Sequence, residues 1–170
     1  MTENDLILLA EEVVNKLKES NTTLAVAESC TGGWLSKILT EISGVSQIYQ
    51  GGVCSYSNNV KMKILGVREE TLKLYGAVSS QTAEEMANGV RKALESDIGI
   101  GITGIAGPLS DNTEKPVGLI YVSFADGKET KTVELKNTFT DNVRLQNRLS
   151  AVKTALHLLG GIDEEKQTNE

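Results

Sequence analysis

Histidine, cysteine, proline and aromatic residues are all scarce in this chain. A single histidine, His157, and two cysteines, Cys30 and Cys54, in 170 residues leave too few soft ligands for a zinc centre. Two cysteines also make no disulfide framework at this length. Neither a metal nor a cofactor is expected, and a reducing cytoplasm is the expected compartment. No apolar run approaches the ~18 residues of a membrane-spanning helix. The opening stretch MTENDLILLAEEVV carries acids where a secretory signal starts basic. Positive charge is short as well, with 17 Lys and Arg against 23 Asp and Glu for a net charge of −6. Without a basic stripe, neither nucleic acid nor an anionic membrane is an expected partner.

What is present is an ordinary globular balance, 39% apolar and 24% charged residues, enough for one domain with a packed core. The domain is expected over residues 1–160, with 161–170 as a flexible acidic tail. Leu6, Ala10, Val13 and Leu17 share one face of a helix predicted over 4–20. A strand over 22–27 follows, then a helix opening at Thr31-Gly32-Gly33 and stopped by Gly44. Residues 48–56 read as a strand whose Gly51-Gly52 pair marks a bulge or a close backbone approach. Asn58 is a candidate cap for a short helix through Leu65, and Ser79 or Ser80 for a longer one. Strands over 98–102, 117–125 and 129–135 are expected, the last two joined by an Asp126-Gly127 turn. A final helix is expected from Asp141 to Leu159, with Leu145, Leu149, Val152, Leu156 and Leu159 in register, ended by Gly160-Gly161. Alternating helices and strands closed by a hairpin predict an α/β fold: a three-layer α/β/α sandwich with a mixed β-sheet.

Four places could carry chemistry. Glu28-Ser29-Cys30-Thr31-Gly32-Gly33 lies where a strand gives way to a helix, the usual position of ligands in α/β sheets. Free amides at a helix start can hold a phosphate or an oxyanion, although Ser29 or Thr31 could equally be a simple cap. Tyr56-Ser57-Asn58-Asn59-Val60-Lys61 offers a base for a serine nucleophile, provided burial or a neighbouring cation lowers the lysine pKa. Tyr56 could pass a proton between serine and lysine or orient them, and the alternative is a solvated lysine beside a core tyrosine. His157, among the leucines of the last helix, is a poor base and reads as a packing residue. The stretch from Gly101 to Pro108, followed by Lys115-Pro116-Val117-Gly118, could wall a pocket or only form turns. Arg144 and Arg148, one helical turn apart, could bind a phosphate or pair with acids such as Asp141.

In order, AESCTGG, GGVCSYSNNVKMKILGV, YGAVSSQTAEEMANGV and ITGIAGP…EKPVG resemble the CinA C-terminal domain family, the nicotinamide mononucleotide amidohydrolases also called PncC proteins. The resemblance covers about residues 5–160. It implies an α/β/α sandwich and conversion of nicotinamide mononucleotide to nicotinic acid mononucleotide and ammonia without a required metal. Family members occur alone or fused behind a larger domain related to molybdopterin-binding proteins; this chain resembles the stand-alone form, and a homodimer or higher homo-oligomer is implied. Ser29 matches the family serine as nucleophile, and Tyr56 and Lys61 match the family tyrosine and lysine, which implies a catalytic role for all three; Lys63 is the nearer rival for the lysine, with a spacing that fits less well. Substrate contacts are expected from Glu28, Cys30, Thr31, Gly32 and Gly33 at the turn, from Thr103, Gly104, Ala106 and Gly107 in the second loop, and from Arg144. Residues 109–112 (LSDN) depart from the glycine-rich step common after AGP, which alters the expected pocket edge. The competing reading is a non-catalytic nucleotide-binding or regulatory module linked to competence or DNA damage.

Overall fold

The computed structural model describes residues 2–161; the expected acidic tail falls almost wholly outside them. The chain runs α1 (Glu3–Glu19), β1 (Leu24–Glu28), α2 (Trp34–Thr40), a 3-10 turn (Val45–Gln47), β2 (Tyr49–Cys54), α3 (Asn58–Leu65), α4 (Glu69–Tyr75), α5 (Ser80–Ala93), β3 (Ile98–Gly104), β4 (Leu119–Ala125), β5 (Thr130–Lys136) and α6 (Val143–Gly160). One five-stranded sheet has the order β2-β1-β3-β4-β5. β2, β1 and β3 are parallel, and β4 and β5 are antiparallel. Helices cover both faces, so the α/β/α sandwich with a mixed sheet expected from the sequence is the fold.

Alternation along the strands sorts the core. Leu24 and Val26 of β1, with Ile98, Ile100 and Ile102 of β3, pack with α1, α2 and α6. Ala25 and Ala27 face the other way, onto Leu65, Val67, Met86 and Val90 of the α3–α5 layer. α5 presses directly on the backbone of β3. A Cβ at Gly99 would stand 2.0 Å from Ala87 O and one at Gly101 2.4 Å from Ala83 O. Each fully buried Leu or Ile stabilises the fold by about 1.5–3 kcal/mol.

Several local expectations are refined. The irregularity expected at Gly51-Gly52 falls one residue earlier: the pairing steps from Leu24↔Tyr49 to Ala25↔Gly51 and skips Gln50. The cap of α3 is Ser57, which accepts from Val60 N at 3.2 Å, so Asn58 is the first helical residue instead. Ser79 caps α5 through Thr82 N. α2 ends at Thr40, ahead of Gly44, which in its left-handed conformation opens the 3-10 turn. α6 starts at Val143, after a left-handed Asn142, and Leu145 lies 45% exposed, outside the buried stripe of Leu149, Val152, Leu156 and Leu159. α4 was not anticipated; Arg68 and Thr71 hold it to Glu85 of α5.

Candidate functional site

β1 and β3 end side by side, and the site forms at their carboxyl ends. The Ser29 amide extends the sheet by donating to Ile102 O at 3.0 Å, and Gly32 N closes a turn on Ser29 O at 3.0 Å. Gly32 and Gly33 take left-handed φ values of 60° and 91°, which swing the chain into α2.

Strand parity separates the two neighbours Glu28 and Ser29. Glu28 shares the face of Leu24 and Val26. Its buried carboxylate accepts from Leu35 N at 3.0 Å, Ser36 N at 2.9 Å and Ser36 Oγ at 2.8 Å. Tyr49 supports this cap by donating from its hydroxyl to Ser36 Oγ at 2.9 Å. The first amides of α2 are therefore occupied by the protein's own carboxylate.

Ser29 faces the opposite layer, where α3 delivers Lys61. Lys61 is buried, and its Nζ stands 3.1 Å from Ser29 Oγ and 2.6 Å from Ser55 O. Ser55 is itself fixed by donation from its amide to Glu28 O at 2.8 Å. No carboxylate forms an ion pair with Lys61 among the described residues. Burial pushes the Lys61 pKa down from 10.5 to about 8. Burial acts on Cys30 in the opposite sense and pushes its thiol up to about 12, so Cys30 stays a neutral thiol beside the serine. A buried, uncompensated amine within hydrogen-bond reach of a hydroxyl is the arrangement that activates a serine.

Ser29, Cys30, Tyr56 and Lys61 open into a cavity of about 270 Å³. Thr103, Gly104, Ala106, Gly107 and Arg144 line the same cavity. Tyr56 stands at its mouth, 67% exposed, and its hydroxyl makes no hydrogen bond among the described residues. Thr103 is buried and donates to Ala77 O at 2.7 Å. α6 fixes the second loop: Arg144 Nη1 donates to Gly107 O at 2.9 Å and Asn147 Nδ2 to Ala106 O at 3.0 Å. Gly107 has φ 80°, and a Cβ there would meet Val117 Cγ1 at 2.4 Å. Leu109, Ser110 and Asp111 form one edge.

Not every expected contact faces this cavity. Glu28, Thr31, Gly32 and Gly33 do not line it. Gly32 and Gly33 border a separate depression beside Trp34, Lys37 and Arg148. Arg148 stacks over Trp34 with its guanidinium carbon 4.8 Å from the ring centre and donates to Thr31 O at 2.7 Å. Neither it nor Arg144 forms an ion pair with Asp141. Lys63, the rival lysine, is exposed and borders a wider depression between α3 and α5. Sequence reasoning missed Ser55, which acts through its carbonyl, and the Ala77-Val78 wall; a backbone acceptor leaves no trace in residue type. Among the described residues, no group of three or more His, Cys, Asp or Glu side chains could hold a metal, and no helix is long and apolar enough to cross a membrane.

Residues 7–162 match the model of the CinA C-terminal domain. A CinA-like protein of Syntrophomonas wolfei is 46% identical over 157 residues, covering 92% of this chain and 36% of that protein. Another, from Amoebophilus asiaticus, is 46% identical over 151 residues, covering 88% of this chain and 35% of the relative. The chain thus spans about a third of the length of these curated relatives. Among solved structures, the competence/damage inducible protein CihA of Agrobacterium tumefaciens superposes with a TM-score of 0.87 at 36% identity, covering 93% of this chain and 95% of that one. A CinA superfamily protein of Klebsiella pneumoniae 700603 gives a TM-score of 0.87 at 30% identity, covering 92% and 96%. With the domain model matched over nearly the whole chain and the fold shared, this chain belongs to the CinA C-terminal domain family.

Proposed function

We propose that the protein hydrolyses the carboxamide of nicotinamide mononucleotide, giving nicotinic acid mononucleotide and ammonia. The observation that carries the reading is the 3.1 Å contact between Ser29 Oγ and the buried Nζ of Lys61. In its neutral form Lys61 takes the Ser29 proton as the oxygen attacks the carboxamide carbon. Cys30 lines the cavity next to Ser29, and its amide is the donor that would meet the developing oxyanion. The Lys61 ammonium returns its proton to the leaving nitrogen, and ammonia departs from an acyl-Ser29 ester. Water, deprotonated by Lys61, then cleaves the ester, restoring Ser29 and releasing the carboxylate. The substrate's pyridinium nitrogen withdraws electrons and sensitises the carbonyl, which favours the nucleotide over free nicotinamide. Tyr56 at the mouth orients the ring, and Arg144 on the cavity wall is the cation available to the phosphate. Remote binding of that phosphate contributes to positioning.

The test is ammonia release from nicotinamide, its riboside, its mononucleotide and the dinucleotide. The mononucleotide is expected to be the best substrate, with kcat/KM rising with pH towards a plateau above about 8, the Lys61 value. Ser29→Ala and Lys61→Ala should each lose on the order of a thousandfold or more. An unsubstituted protein that binds the nucleotide yet releases no ammonia, or a Ser29→Ala variant with the parental rate, overturns the reading.

A further inference from the structure

We propose that Lys115 is a positioning residue that clamps one cavity wall to another, tying the loop after β3 to the connection between α4 and α5. Lys115 Nζ donates to Tyr75 O at 2.6 Å and to Val78 O, reaching 40 and 37 residues back along the chain. Tyr75 is the last residue of α4, where unpaired carbonyls carry partial negative charge and favour a cation. No acid lies within ion-pair distance of Lys115 among the described residues, so its charge rests on these carbonyls.

The segment it grips carries part of the cavity. Ala77 and Val78 line it. Every carbonyl from Tyr75 to Val78 is held by a side chain. Ser79 and Thr82 hydroxyls donate to Gly76 O at 3.0 and 2.8 Å, and Thr103 Oγ1 donates to Ala77 O. Thr103 belongs to β3, and Ser79 and Thr82 to the same connection and α5. Lys115 alone among these donors comes from the loop.

On its own side, local turns carry the grip back to the rim. Lys115 N donates to Thr113 Oγ1 at 3.2 Å, and Thr113 donates from its amide to Asp111 Oδ1 at 3.2 Å and from its hydroxyl to the same oxygen. Asp111 lines the cavity edge. An ammonium anchored to one wall is therefore joined through two short turns to another. Ser29 and Lys61, seated at the end of β1 and on α3, lie outside this linkage.

Releasing the clamp lowers the fraction of molecules with the walls in the binding arrangement, and apparent affinity falls by that fraction. Lys115→Met and Lys115→Arg are the variants, compared with the unsubstituted chain by amide hydrogen exchange without ligand and by ammonia release from nicotinamide mononucleotide. The Met variant should raise exchange in residues 75–79 and 105–116 together while β1, β3 and α6 keep parental protection. Its KM should rise about tenfold with kcat within about twofold, and the Arg variant, which keeps charge and donors, should restore both readouts. Exchange that rises uniformly, in one segment alone or not at all overturns the clamp, as does a fall in kcat at unchanged KM. The same holds if the Arg variant behaves like Met. The kinetic arm rests on the amidohydrolase reading. If the unsubstituted protein releases no ammonia, that reading falls by itself and the exchange arm decides the clamp alone.

Discussion

Replacing Lys61 by Met should change how stability depends on pH, in a direction fixed by burial. Folding lowers the Lys61 pKa from 10.5 to about 8. Between those values the unfolded chain holds the proton more tightly than the folded one, so stability rises with pH through that window. Below pH 8 the folded protein must either carry a buried ammonium or give up its proton, and the penalty is at its full size. Above 10.5 both states are neutral and the penalty is gone. At about 1.4 kcal/mol per pKa unit, the Lys61 contribution to unfolding free energy should improve by roughly 2–3 kcal/mol from pH 7 to pH 10. Lys61→Met has no such group. It also removes the donor to Ser55 O, a cost on the order of 1–3 kcal/mol that does not vary with pH. The measurement is urea unfolding of parent and variant at intervals across that range, taking the difference at each pH. The difference should move in favour of the parent as pH rises, while other titrating groups cancel. A flat difference would mean that Lys61 is hydrated in the folded state and unfit as a base at neutral pH, which would remove the foundation of the proposed chemistry.

Two further expectations follow from buried groups near the serine. Glu28→Gln preserves size but sets an amide N–H₂ against the donors of Leu35 and Ser36, so urea unfolding should show a loss of about 1–3 kcal/mol; unchanged stability would mean that the carboxylate is not the anchor of α2. With a maleimide near neutral pH, exposed Cys54 should react first and buried Cys30, its thiol pushed up to about 12, only on unfolding. Equal labelling rates in the native state would show that the Ser29 turn opens.

Elements with a wide apolar stripe were legible in the sequence, because periodicity reports burial. α1, α5 and the strands of the sheet fall where alternation and helical spacing put them. α4 escaped because Leu74 and Tyr75 are 67% and 47% exposed and only Thr71 is buried; its anchor, Glu85, lies in another helix. Leu145 misled for the converse reason, an apolar residue in helical register that faces outward. At the site, the motif order drew attention to Ser29, Tyr56 and Lys61, but no spacing rule announces that a lysine is buried. Glu28 shows the finer limit. One residue from the serine, it serves another layer, because a one-position step along a strand reverses the side chain.

The Ser55 carbonyl has a consequence for proton direction. An acceptor only, it takes an N–H from Lys61 at 2.6 Å whichever charge state the amine is in. A neutral amine has two hydrogens and one lone pair, so with one hydrogen tethered the nitrogen cannot spin freely. Rotation about that tether offers the neighbouring hydroxyl either the second hydrogen or the lone pair, and only the latter can draw a proton away. In the proposed role of Lys61 as base, the backbone would thus narrow the orientations the amine samples, through an acceptor that is not part of the Ser55 side chain.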